Sequence, residues 1–203
     1  MPLNTQTLRA QLRRQRRQVP KHQQLQSEYQ VLHRLIRFSQ FRHAKHIGIY
    51  LHAFGEIHTS KIIHYCFNHK KHVYLPMICS MNQQLVWVEI TRNQYCNQRF
   101  SHHPLGMKEP MASRGQHVSH LDLLILPLLA CDHFGTRIGM GGGFYDKTLA
   151  TAPTKPYRLG LAHDFQLINE TLKRETWDQP LDALLTPSQF LRFKRSFDVF
   201  DIQ

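Results

Sequence analysis

Apolar residues fall at helical spacing near the start of the chain and gather into short runs farther along. Leucines scattered through a basic, polar segment predict an amphipathic helix from Leu3 to Gln18, stopped at Val19-Pro20. Lys21 to about Gln40 predicts a second helix, with Leu25, Tyr29, Leu32, Leu35 and Ile36 on one core-facing side. His46 to Leu51 predicts a short strand, then a turn from His52 to Gly55. Thr59 is the N-cap candidate for a helix from Ser60 to His69. His72 to Pro76 predicts a strand closed by its proline, and the alternation from Gln84 to Ile90 a half-buried, antiparallel one. The polar stretch from Asn93 to Gln116 predicts a structured loop around His102 to Pro110. Leu121 to Ala130 is an almost unbroken apolar run, the pattern of a buried strand. Beyond it, Phe144 to Ala150 predicts a helix start, Arg158 to Ala162 a strand, Phe165 to Arg174 a helix and Leu181 to Leu185 a last strand. Strands alternating with helices predict an α/β domain with a mostly parallel sheet, whose ligands bind beyond the carboxyl ends of the strands. Three segments are expected there: the turn around Glu56, the loop after the long apolar run, and the region from Asp182 to Thr186. No repeat or linker divides the chain, so residues 1–203 are expected to form one domain.

Half of the chain's ten glycines lie between Gly135 and Gly143, in the run from Asp132 to Asp146. Glycine lets a backbone approach a ligand closely or adopt positive φ. A buried strand, a glycine loop and a helix start together expose free N–H groups and make an anion site. Two common phosphate loops are excluded by spacing. From Gly139 and Gly141 the third glycine of a dinucleotide fingerprint falls on Phe144, and Gly143 is separated from Lys147-Thr148 by three residues, so no Walker A motif exists. Arg137 within the loop has the fork geometry of a phosphate clamp; the alternative is a pair with Asp132. Asp146 can hold magnesium or serve as a first-turn acid on the helix dipole. Tyr145 can stack on a ring or pack. Glu56 can meet a substrate or belong to the entry of the following helix.

The net charge of +12 points to a polyanionic partner, either a nucleic acid or a small molecule with several phosphates or carboxylates. The densest patch places Arg9, Arg13, Arg16 and Arg17 along one side of the first helix, where a solvated face is the simplest reading for most of them. Fifteen histidines invite a metal reading, but pairs such as His43/His46, His69/His72 and His117/His120 lack the glutamate of a His-Glu-x-x-His motif. Four widely spaced cysteines without a Cys-x-x-Cys pair, no apolar run of membrane length and no signal-like apolar core predict a reduced, cytoplasmic protein away from the membrane.

Leu126-Pro127, Asp132, Gly135, Arg137-Ile138-Gly139 and the run from Gly141 to Asp146 resemble the 5-formyltetrahydrofolate cyclo-ligase (5,10-methenyltetrahydrofolate synthetase) family. Gly55-Glu56-Ile57-His58-Thr59, Met107-Lys108-Glu109-Pro110 and the segment Asp182 to Pro187 support the resemblance, which spans nearly the whole chain. It implies a three-layer α/β/α domain with an N-terminal helical segment, consuming ATP with magnesium. It implies further that 5-formyltetrahydrofolate, with or without a polyglutamyl tail, is phosphorylated on its formyl oxygen and closed by N10 to 5,10-methenyltetrahydrofolate. By position, Thr5, Arg9, Arg137, Ile138, Gly139, Met140, Gly141, Gly142, Gly143, Phe144 and Tyr145 would line the nucleotide, with Arg137 catalytic. Glu56 and Tyr145 would meet the folate, and Asp146 and Asp182 are the magnesium candidates. Thr5 stands where the family usually has lysine, and His58 where the turn usually carries an acid. ATP and a glutamyl folate are both polyanions, so the basic charge is accounted for without nucleic acid. The rival is a nucleic-acid-binding protein using the basic helix, which leaves the glycine loop idle; another is a binder of nucleotide or folate without turnover.

Overall fold

The apolar run at residues 123–127 forms the middle strand of a seven-stranded sheet in the computed structural model, which describes residues 5–195. In chain order the strands are β1 (His46–Gly48), β2 (His72–Cys79), β3 (Gln84–Ile90), β4 (Phe100–His102), β5 (Lys108–Pro110), β6 (Leu123–Pro127), β7 (Ala130–Cys131), β8 (Arg137–Ile138), β9 (Tyr157–Leu161), β10 (Ala183–Leu185) and β11 (Phe190–Arg192). The large sheet runs β11-β10-β9-β6-β1-β2-β3; the five inner strands are parallel and each edge strand is antiparallel to its neighbour. The helices are α1 (Thr5–Arg17), α2 (Lys21–Leu35), α3 (Ser39–His43), α4 (Ser60–Asn68), α5 (Arg92–Cys96) and α6 (Phe144–Leu149). This is the predicted α/β fold with a mostly parallel sheet.

Alternate residues of the central strands serve opposite faces. Leu123 and Ile125 join Ile47, Val73, Leu159 and Ala183 in a core covered by Val31 and Leu35 of α2, Phe41 of α3 and Ile62, Ile63 and Cys66 of α4. Leu124 and Leu126 join Trp87, Leu181 and Leu184 in the opposite core, under Leu149 of α6 and Val118. A third, smaller cluster lies beyond the strand ends, where Leu12 of α1 packs on Leu129, Ala130, Ile138 and Leu172. Among the described residues no helix is long and apolar enough to cross a membrane.

Several elements depart from the expected limits. The first predicted helix is helical from the first described residue, Thr5, to Arg17, and its first two expected residues lie outside the described ones. The second predicted helix breaks into α2 and α3 because Phe38 turns extended (ψ 123°) to bury its ring against Tyr157 and Phe190. β2 runs through Pro76 to Cys79. Pro76 faces Trp87, whose own N–H turns away to the Gln116 carbonyl (2.9 Å), so the β2–β3 ladder loses no bond at the proline. Thr59 precedes α4, but its hydroxyl donates to the Tyr50 carbonyl; the Lys61 N–H is taken instead by Glu28 of α2 (2.8 Å). The polar stretch after β3 holds α5 and the β4–β5 hairpin. The predicted helix from Phe165 to Arg174 is only a 3-10 turn, Asp164–Gln166. Tertiary bonds claim its backbone: the Ile168 N–H goes to the Cys131 carbonyl and the Leu172 N–H to the Asp132 carboxylate.

Candidate active site

β6 delivers the chain to the β7–β8 hairpin, and the glycine loop leaves β8 to enter α6. The hairpin turn is organised by Asp132, 1% exposed, whose carboxylate accepts the N–H groups of Phe134 (2.9 Å), Thr136 (2.9 Å) and Leu172 (3.0 Å). Asp132 is therefore not the partner of Arg137. That partner is Asp146: Arg137 Nη2 donates to its Oδ1 at 2.7 Å, and the Gln179 N–H reaches the same oxygen at 3.0 Å. The guanidinium also lies 5.8 Å from the centre of the Tyr145 ring, occupying a face expected for a ligand. Its Nε is buried and has no hydrogen-bond partner among the described residues.

The loop itself is an open cradle. A Cβ placed on Gly141 or Gly143 would meet nothing within 4 Å, and φ is +105° and +65° at these positions. A Cβ on Gly139 would stand 3.3 Å from Arg137 Nη1, so the backbone runs beside the guanidinium. Gly142 is pressed against the Phe144 ring. Gly143, in the left-handed region, is the N-cap of α6 and offers no side-chain cap. α6 has six residues, so its dipole is short, and the anion-binding capacity rests on the loop and on Arg137. Ile138 is buried in the small cluster under α1, which leaves only its backbone for a ligand.

The basic helix divides its arginines. Arg14 and Arg17 are exposed, as a solvated face requires, but Arg9 and Arg13 are half-buried and Arg16 is 1% exposed. Arg13 Nη2 donates to the Met140 carbonyl in the glycine loop at 2.7 Å. Arg16 donates to the carbonyls of Phe54 (3.0 Å) and Leu128 (3.2 Å), lies 3.5 Å from Glu56 Oε1, and reaches Met140 Sδ at 3.6 Å. The Nε atoms of Arg9 and Arg13 are buried without a partner among the described residues. Thr5 opens α1 and is exposed. Arginines at three- and four-residue spacing signalled this helix face; that two of them grip the loop was not visible in the sequence.

Glu56 takes no part in capping α4. It accepts the Ala53 N–H at 3.0 Å and pairs with Arg16. Burial pushes its carboxyl up to about 6 against the pull of Arg16 and of that N–H. Tyr145 and Tyr50 both feel the Glu56 charge, and burial raises both phenols. His58 stacks on His52 at 4.2 Å, and burial holds His52 down at about 4. The turn is pressed onto α1: a Cβ on Gly55, at φ +78°, would lie 2.2 Å from the Arg16 carbonyl oxygen. Gly55→Ala is therefore expected to cost about 2–4 kcal/mol by positive φ and steric clash together, read from urea denaturation. A loss under 1 kcal/mol would mean that the turn moves off the helix freely. Beside this turn a groove of about 580 Å³ is lined by His52, Ser60, His64, Tyr95, Phe100 and Lys108 among others.

Asp182 stands elsewhere. It precedes β10, at the amino end of the parallel strands, so the expectation that it lies beyond the carboxyl ends is corrected. It accepts the Arg158 N–H at 2.7 Å and pairs with Arg195 at 3.1 Å. Asp122 does the same before β6, accepting the Lys45 and His46 N–H groups. These carboxylates secure strand starts. Among the described residues no group of three or more His, Cys, Asp or Glu side chains could hold a metal ion. Asp146 alone suits magnesium bound chiefly by phosphate and water, because Oδ1 is engaged and its side chain is 23% exposed.

The model of the 5-formyltetrahydrofolate cyclo-ligase family matches residues 3–187. The 5-formyltetrahydrofolate cyclo-ligase of Escherichia coli (strain K12) is 34% identical over 183 residues, which is 88% of this chain and 97% of that protein. That of Haemophilus influenzae is 34% identical over 185 residues, 89% of this chain and 96% of its own length. The solved structure of Aquifex aeolicus 5,10-methenyltetrahydrofolate synthetase superposes with a TM-score of 0.78, covering 99% of this chain and all of that one at 23% identity, a likeness of fold.

Proposed function

Because this chain belongs to the 5-formyltetrahydrofolate cyclo-ligase family, we propose that it uses ATP to convert 5-formyltetrahydrofolate to 5,10-methenyltetrahydrofolate, releasing ADP and phosphate. The observation that carries this reading is the open glycine cradle beside a guanidinium whose Nε–H has no partner among the described residues. The γ-phosphoryl group passes to the formyl oxygen and gives an iminium phosphate. N10 then adds to that carbon and loses its proton, and phosphate departs with the former formyl oxygen. Such a reaction asks for positioning and charge stabilisation rather than a covalent nucleophile.

Backbone N–H groups from Gly139 to Gly143 receive the phosphates, flanked by Ile138, Phe144 and Tyr145, with Thr5 and Arg9 of α1 on the nucleotide side. Arg137 stabilises the transferring phosphoryl group. Magnesium, when bound, neutralises phosphate charge; Asp146 would hold it through Oδ2. Asp182 keeps its second metal candidacy by resemblance alone, since both its oxygens are engaged. Glu56, buried and ionised, accepts from the folate ring, with Tyr145 packed beside it. The adjoining groove takes the rest of the folate, Lys108 standing for the carboxylates of added glutamates. The enzyme is assigned to the cytoplasm, and neither nucleic acid nor a membrane is needed.

Purified protein mixed with 5-formyltetrahydrofolate, magnesium and ATP should raise the near-ultraviolet absorbance of the methenyl product. Omitting ATP or adding a chelator should abolish the rise. Folded protein that gives no rise under any condition would overturn the proposal.

A further inference from the structure

We infer that Arg16 is the positioning residue that fixes both halves of the site at once, tying the Glu56 turn to the glycine loop through one buried guanidinium. The inference rests on the cyclo-ligase reading for what the two halves bind. The side chain reaches four points on three segments. Phe54 O and Glu56 belong to the substrate turn, Leu128 O to the end of β6, and Met140 Sδ to the glycine loop. The three nitrogens of the fork divide these contacts among them, so a lysine at this position can replace only part of the set. Backbone contacts reinforce the same seam. Gly55 touches the Arg16 carbonyl region, Gln24 Nε2 donates to the Gly55 carbonyl at 2.9 Å, and His163 Nε2 lies 3.1 Å from that oxygen.

A guanidinium so buried is costly unless its charge is answered. Burial lowers the Arg16 pKa, and Glu56 is the first group to oppose that. The other charged or titratable groups around the pair are Arg13 and Arg17 on α1, Tyr50 after β1, His163 after β9 and Tyr145 on α6. None of them is an acid that could replace Glu56 as partner. The converse also holds: Arg16 is the cation that favours the Glu56 carboxylate against its burial. Removing Arg16 must therefore raise the Glu56 pKa further, above the value near 6 that it has with the guanidinium present. The same removal breaks the side-chain link between Met140 and the substrate turn, leaving Arg13 on the loop and Gln24 and His163 on the turn.

The test combines kinetics of Arg16→Met and Arg16→Lys with a carbon-detected titration of the Glu56 carboxyl in ligand-free protein. In Arg16→Met, KM should rise about tenfold for ATP and for the folate alike. The acid limb of kcat/KM should move to higher pH, and Glu56 should titrate higher. Arg16→Lys, which keeps a charge and serves if the methionine variant does not fold, should rescue the titration while leaving both KM values raised. A KM change confined to one substrate overturns the inference, and so does a Glu56 titration unchanged in Arg16→Met. If wild-type protein turns nothing over while Glu56 still titrates higher in Arg16→Met, the cyclo-ligase reading fails and the tie between Arg16 and Glu56 stands.

Discussion

Replacing Arg137 with alanine is expected to lower kcat by about 10²–10³ at saturating ATP, the loss seen when one preorganised charge donor is removed from a developing anion, while the protein still folds. The fold survives because this side chain holds little of it together. Asp146 keeps the Gln179 N–H at 3.0 Å and its side chain is 23% exposed, so water can solvate the carboxylate once the guanidinium is gone, and the loss stays at about 2 kcal/mol, below that of breaking a fully buried pair. Arg137 is 8% exposed and braced by Asp146 and by the Tyr145 ring, and its Nη1 lies beside the backbone of Gly139, where the open cradle begins. A donor held in that way costs no reorganisation when phosphoryl charge moves. Arg137→Lys should recover part of the rate, since a point charge replaces a fork. Steady-state absorbance kinetics beside a thermal melt decide the matter: kcat within threefold of wild type in folded Arg137→Ala would remove Arg137 from the chemistry.

The sheet was legible because its strands are apolar runs interrupted by short helices, and burial on both faces leaves no other use for a segment like Leu123 to Pro127. Tertiary partners decided the elements that were not. Phe38 breaks the second helix to reach Tyr157 and Phe190, residues far away in the chain. The segment from Phe165 to Arg174 has helical periodicity, yet its N–H groups are claimed by Cys131 and Asp132. Pro76 reads as a strand end locally, yet β2 passes through it, since Trp87 opposite turns its N–H away to Gln116.

The site was legible where glycine concentrates, since the cradle at Gly141 and Gly143 is a property of the backbone. Partner choice was not. Arg137 had two acids near it in sequence, Asp132 and Asp146, and spacing does not say which one the hairpin turns inward. Arg13 and Arg16 looked like members of a solvated stripe. Only the docking of α1 over Leu129 and Ile138, through Leu12, turns that stripe onto the loop.

Asp132→Ala is expected to produce the largest loss of stability, roughly 3–6 kcal/mol from stranding up to three amide donors at about 1–3 kcal/mol each. Two of those donors, on Thr136 and Leu172, are buried, and the third, on Phe134, is partly so. Arg174 binds the Phe134 carbonyl and the Thr136 hydroxyl of the same turn, so a turn that loosens also weakens those contacts. Asp132→Asn should cost less. Its single oxygen can still accept from Phe134 and Thr136, while its amide group meets the Leu172 N–H donor to donor. The turn leads directly into Arg137, so Asp132→Ala should also lose turnover at temperatures where much of the wild-type protein remains folded. Urea denaturation of the three proteins orders them as wild type, asparagine, alanine. An alanine variant within 1 kcal/mol of wild type would show that water replaces the carboxylate, and that the hairpin carrying Arg137 does not depend on Asp132.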